Sequence, residues 1–144
     1  MIKVRRNVFE TNSSSMHSLS IIKRKDNQYD YLGKDETLFI ELGEYGWGYD
    51  ELHTAGEKLN YVLTKIYYDA IDEESLNIVK DLVLQKTGCD IEIENYNDGN
   101  FWIDHQSIDM LSKQQQASGL CYRDFIETVI FNPNYVIIID NDNH

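Results

Sequence analysis

The sequence is poor in the features that most readily announce a function. It holds two cysteines, Cys89 and Cys121, a single proline, Pro133, and only 13 lysines and arginines against 25 aspartates and glutamates. Two isolated cysteines with no CxxC or Cys/His spacing exclude a disulfide framework and the usual zinc modules. Both read as buried free thiols. No apolar run approaches the roughly 18 residues needed to cross a bilayer. The basic start, Met1 to Asn7, continues into polar residues where a signal peptide needs an apolar stretch. A cytoplasmic location is therefore expected, with no membrane partner. Walker, glycine-rich phosphate, calcium-loop and paired-histidine zinc patterns are all absent, so neither a metal nor a cofactor is expected.

The scarcity of positive charge sets the net charge at −12. Phosphates would be repelled over most of such a surface, which disfavours non-specific binding to nucleic acid. The charge is unevenly spread. Residues 1–25 carry Lys3, Arg5, Arg6, Lys23, Arg24 and Lys25 against the single acid Glu10, a local balance of +5, leaving −17 for the remainder.

What is present describes a chain that folds. At 144 residues, 42% hydrophobic and 12% aromatic, it has enough apolar surface for one ordinary core, and one domain over 1–144 is the expectation. Alternation predicts short strands in the segment starting at Ile2, at Ser18–Ile22 and at Thr37–Leu42. Glycines interrupt Gly43–Glu51, which reads as an aromatic loop. Apolar residues at Ala55, Leu59, Val62, Leu63, Ile66, Tyr67 and Ala70 predict a helix over Thr54–Ile71. Asp72 reads as the N-cap of a second helix and Gly88 as its C-terminal stop. Ile91 and Ile93 alternate with Glu92 and Glu94 ahead of Asp98-Gly99, the pattern of a hairpin. A weaker helix is predicted over Ile108–Gln116 and a stronger one from Tyr122. Asn132-Pro133-Asn134 ends the latter, and Tyr135–Asp140 is apolar enough for a central strand. The fold class is α+β, a mainly antiparallel sheet covered by three to four helices.

Four polar stretches stand out. In Phe9–Ser18, "FETNSSSMHS", Glu10, Asn12, Ser13, Ser14, Ser15 and His17 crowd next to a predicted strand. They read either as a turn satisfying its own backbone or as an anion site, with hydroxyls and backbone N–H groups around a phosphate and Arg5, Arg6 and Lys23 to Lys25 supplying charge. Strand parity puts Ser13, Ser15 and His17 on the side of Leu19 and Ile21. A histidine there is either a satisfied core residue or one facing a cleft. In "FWIDHQS", Asp104, His105, Gln106 and Ser107 follow a strand and either line a site or cap the next helix. In "GEYGWGYDE", Tyr45 and Trp47 either pack on the sheet or stack on a base. Asp140, Asn141 and Asp142 close the chain as strand-end cation ligands or as a solvated tail.

These four stretches together, "VFETNSSSMHS", "GEYGWGY", "FWIDHQS" and "IIIDNDN", resemble in the same order a group of small proteins encoded by phages and by prophage-bearing bacteria. The resemblance implies a context rather than an activity: an accessory protein in the cytoplasm of an infected cell, of the kind that counters host defence. It singles out Glu10, Asn12 to Ser15, His17, Glu44, Tyr45, Trp47, Asp104 to Ser107 and Asp140 to Asp142 as one set. The leading expectation is a protein that binds, and in one version hydrolyses, a small phosphorylated ligand such as a nucleotide immune signal. Arg5, Arg6 and Ser13 to Ser15 would hold phosphate, Tyr45 or Trp47 would stack, and His17, His105 and Asp104 would transfer protons. A second is an acidic interaction protein that mimics nucleic acid and blocks a host defence enzyme. A third is metal-dependent phosphodiester hydrolysis at Asp104, His105, Asp140 and Asp142. Assembly into a homo-oligomer stays open.

Overall fold

The computed structural model describes residues 17–23, 37–45, 49–68, 71–94, 100–103 and 105–141, with side chains at all of these except 17–23, 105–110 and 140–141. Seven strands and four helices lie within them, in the order β1 (His17–Lys23), β2 (Thr37–Ile40), β3 (Glu44–Tyr45), β4 (Tyr49–Leu52), α1 (Ala55–Tyr68), α2 (Glu73–Thr87), β5 (Asp90–Ile93), β6 (Trp102–Ile103), α3 (His105–Ser118), α4 (Tyr122–Phe131) and β7 (Tyr135–Asn141). The class is α+β, as expected. The strand predicted from Ile2 lies outside the described residues.

The apolar run of β7 is the middle strand of an antiparallel sheet ordered β1-β7-β4. Its continuous Val136-Ile137-Ile138-Ile139 is buried on both faces, as a central strand requires. Ile137 and Ile139 join a core with α1, α2 and α4, built around Leu59, Val62, Leu63, Val79, Val83, Phe125 and Val129.

Two expectations fail for one reason. The Gly43–Glu51 stretch is not wholly a loop, because it contains β3 and β4, and Ile91 to Ile93 form no hairpin with β6. Instead β2 pairs with β5 and β3 with β6, both in parallel. The segment from Asp90 runs beside Thr37–Tyr45, leaves after Glu94 N–H donates to the Ile40 carbonyl (2.8 Å), and rejoins where Trp102 N–H donates to the Gly43 carbonyl (3.1 Å). Asp98-Gly99 supplied a local hairpin signal, but a parallel partner across the α1–α2 crossover buries Ile91. Parallel pairing needs such a crossover, and its two helices were legible even though the pairing was not.

α1 is more central than a one-faced helix. Lys58, Leu59, Tyr61, Val62, Leu63, Thr64 and Ile66 are all buried, which takes in most of its circumference. Two of the polar members, Lys58 and Thr64, have hydrogen-bond partners. Lys58 Nζ donates to the carbonyls of Asn132 (3.2 Å) and Tyr135 (2.8 Å), holding the turn between α4 and β7 against α1. α1 starts in a reciprocal cap, with Glu57 N–H donating to Thr54 Oγ1 (3.1 Å) and Thr54 N–H to Glu57 Oε1 (3.0 Å). α2 is capped as expected: Asp72 accepts from Ser75 N–H (3.3 Å) and Ser75 Oγ (2.7 Å), and Gly88 takes φ 77° at the other end. Cys89 is buried, but Cys121 is exposed because it stands just before α4, outside the core, correcting the expectation of two buried thiols.

Candidate functional site

Strand register decides where the polar stretches go. β1 and β7 are antiparallel with His17 opposite Asn141 and Ser18 opposite Asp140. β4 flanks β7 on its other side with Tyr49 opposite Asp140, so Ser18, Asp140 and Tyr49 form one row across the sheet. The start of β1, the end of β7 and the start of β4 therefore share one rim. Tyr45 ends β3 four residues before Tyr49, which limits their Cα separation to about 14 Å. Because β3 and β6 run in parallel with Tyr45 opposite Ile103, β6 ends on the same side, and His105 begins α3 two residues later. β1 and β4 thus begin and β7 ends at this rim, and β6 ends on the side of Tyr45.

Arg5, Arg6, Glu10, Asn12, Ser13, Ser14, Ser15, Trp47, Asp104 and Asp142 lie outside the described residues. His17, His105, Gln106, Ser107, Asp140 and Asn141 are placed by their backbone alone, the middle three of that group in the first turn of α3 and the rest at the strand ends. Lys23 does not join them. It pairs with Tyr135 at the opposite end of β1, about 20 Å from His17 at ~3.3 Å per residue. Lys23 is thus separated from the histidine by the length of the strand.

Tyr45 is half-buried, and its hydroxyl donates to Asn60 Oδ1 (2.7 Å). Its ring meets Tyr61 edge-on, with centroids 5.0 Å apart. Asn60 is the hub of this corner. Its Oδ1 also accepts from Gly43 N–H (3.1 Å) and Thr64 Oγ1 (3.3 Å), and its Nδ2 donates to the Glu41 carbonyl (2.8 Å). Gly43 N–H is shared with Thr64 Oγ1 at 3.2 Å. A side chain at Gly43 would meet Asn60 Oδ1 at 3.1 Å and the Tyr45 ring at 3.2 Å. The β2–β3 connection is therefore tied directly onto α1, which fixes where β3 delivers the following residues. Burial, then the negative charges of Asp50 and Glu57, push the Tyr45 phenol well above its ordinary pKa.

Sequence reading missed a second network, which runs along β4 away from the rim, since Glu51 pairs with Ile138 and Leu52 with Ile137 towards the far end of β7. Tyr49, Glu51 and His53 alternate along β4 and just beyond it. The Tyr49 hydroxyl donates to Glu51 Oε2, and Glu51 Oε1 lies 2.9 Å from His53 Nε2. His53 Nδ1 is buried without a partner. The i, i+2, i+4 spacing was visible once the segment was read as a strand.

Acidic groups gather beside it. Burial raises the pKa of Asp50, opposed by the Glu51 amide and reinforced by the charges of Glu57 and Glu51. Burial also raises that of Glu57, but hydrogen bonds from Thr54 and His53 outweigh it and leave the carboxyl below its usual range. Among the described residues, no three His, Cys, Asp or Glu side chains gather as a metal site, and no helix is long and apolar enough to cross a membrane. No family model, curated protein or solved structure matches this chain.

Proposed function

We propose that the rim formed by the start of β1, the ends of β3, β6 and β7 and the start of β4 binds a small phosphorylated ligand, as a counter-defence protein acting on a nucleotide immune signal would. The observation carrying this reading is the convergence of strand ends there. His17, Tyr49 and Asn141, which lie 32 or more residues apart in sequence, come to one edge of the sheet by strand register, and strand ends of this kind commonly carry ligand-binding residues. His17 and His105 are the groups suited to proton transfer, and Tyr49, which is exposed, offers a ring at the edge. Lys23 lies at the far end, and in this reading Arg5 and Arg6, outside the described residues, supply the charge that holds phosphate.

Incubation of the protein with cyclic dinucleotides and with ADP-ribose, followed by quantification of free ligand and products, tests this reading. Depletion without new products indicates sequestration, and conversion that His17→Ala or His105→Ala removes while depletion persists indicates hydrolysis. Neither depletion nor conversion with any of them sinks the proposal.

The acid cluster at the β4 edge favours a second reading, in which the chain occupies a basic groove on a host enzyme. Asp50, Glu51 and Glu57 lie together there, and Glu73 and Glu74 are exposed at the start of α2. Salt-sensitive capture of a nuclease, lost on reversing the charge of Asp50 and Glu51, supports it. Capture indifferent to those charges removes it.

A further inference from the structure

A groove of about 390 Å³ runs between α2 and β5. Its helical wall is Glu73, Leu76 and Lys80, which are spaced i, i+3, i+7 on one face of α2 and cover about 10 Å at 1.5 Å per residue. The facing wall is three consecutive residues of β5, Ile91, Glu92 and Ile93. Consecutive strand residues point their side chains to opposite faces of a sheet. A groove that touches all three, and among the described residues touches none of β2, therefore lies along the edge of β5 that β2 leaves open.

The β2–β5 ladder fixes which backbone groups face this groove. Glu94 N–H donates to the Ile40 carbonyl at 2.8 Å, so Glu94 turns its backbone towards β2. Backbone groups alternate sides along a strand, which turns Asp90 and Glu92 the same way and points the N–H and C=O of Ile91 and Ile93 into the groove. Among the described residues no strand pairs with this edge. It thus offers two donors and two acceptors beside an apolar floor of Leu76, Ile71 and the inward side chains of Ile91 and Ile93. Edge groups of this kind are a template for a further strand.

Charge identifies what the added strand carries. Glu73 and Lys80, both exposed, offset each other on the helical wall. On the outer face of the ribbon Asp90, Glu92 and Glu94 follow at every second position, all exposed. A strand laid against β5 turns alternate side chains inwards onto Leu76 and Ile71 and the others outwards beside these three carboxylates. We propose that this edge binds, by strand addition, an extended segment of a partner protein in which apolar residues alternate with lysines or arginines. Main-chain hydrogen bonds to Ile91 and Ile93 hold the segment, its apolar side chains fill the groove, and its cations lie beside Asp90, Glu92 and Glu94. The length of the groove suits about three residues at ~3.3 Å each. The site shares no residue with the rim proposed to bind a phosphorylated ligand.

A ¹H–¹⁵N titration of the full chain tests the proposal, with a short acetylated and amidated peptide of alternating valine and lysine as the probe, carried to about 1 mM. Saturable shifts centred on the Ile91 and Ile93 amides are expected. Two N-methylated forms of the peptide, one blocked at the valine amides and one at the lysine amides, separate strand addition from charge attraction. Both keep the charge, but only one set of amides faces β5, so one form should bind about tenfold more weakly and the other nearly as well as the parent. Glutamate in place of lysine in the peptide should weaken binding about tenfold, and Glu92→Lys, an exposed change, should weaken the lysine peptide and favour the glutamate one. No saturable shift at these amides, equal binding of the two N-methylated forms, or affinity indifferent to both charge changes overturns the proposal. So does protection of the Ile91 and Ile93 amides from exchange in the free chain, which would show the edge already paired. A shift of those amides with protein concentration alone would give the edge to a second copy of the chain and overturn it as well.

Discussion

Asn60 illustrates how much of the rim depends on single side chains. Its amide oxygen accepts from Gly43, Tyr45 and Thr64 and its amide nitrogen donates to Glu41. Asn60→Ala would strand the half-buried Tyr45 hydroxyl and weaken the hold on Gly43, so we expect a loss of about 2–4 kcal/mol in urea unfolding. The half-buried Tyr45 and Tyr122 shape the alkaline limb. Their folded-state pKa values lie above the ordinary 10.0, with Tyr122 at about 12. The unfolded chain therefore releases these protons first, and the associated stability is complete below pH 10.0 and lost as pH rises towards 12. Tyr122→Phe should flatten the decline in melting temperature over that interval, and an unchanged slope would contradict the assignment. At this scale the sequence was legible where chemistry is local, as in the Asp72 cap. It was opaque where a partner comes from another element, as with Asn60, whose four contacts are brought together only by folding.

At the scale of elements, caps and packing explain the helices. Gly88 closes α2 with φ 77° while its N–H donates to the Leu84 carbonyl at 2.8 Å, so Gly88→Ala should cost about 1 kcal/mol by chemical denaturation. Lys58 joins α1 to the α4–β7 turn through two carbonyls from a fully buried position. Lys58→Met should cost about 2–4 kcal/mol, because those carbonyls lose a charged donor. It should also speed amide exchange at the start of β7, whereas a merely apolar role for the stem would leave exchange unchanged. The helices and β7 could be read from periodicity because each buries its own stripe or run. The pairing of β5 could not, since the same Ile91/Ile93 alternation serves a hairpin or a parallel neighbour, and only the long-range choice of partner separates them. The T-x-x-E signal at Thr54–Glu57 was available and marks the start of α1.

For the whole molecule, charge and topology pull in different directions. The net charge is −12, and Lys23 lies at the far end of β1 from His17. Yet register brings His17, Tyr49 and Asp140–Asn141 to one rim, and the parallel β3–β6 pair sends His105 out on the same side. The four polar stretches could be identified in the sequence as unusual. The alignment of His17, Tyr49 and Asn141 could not, because it rests on β4 emerging within what read as a loop. The central claim is that this rim acts as one ligand site. Its most direct test follows the backbone amides of His17, Tyr49, His105 and Asn141 by NMR while cyclic dinucleotides and ADP-ribose are added in separate titrations. The account predicts that one of these ligands moves all four resonances along a single binding curve. Resonances that stay still with every ligand, or that move on unrelated curves, would contradict it.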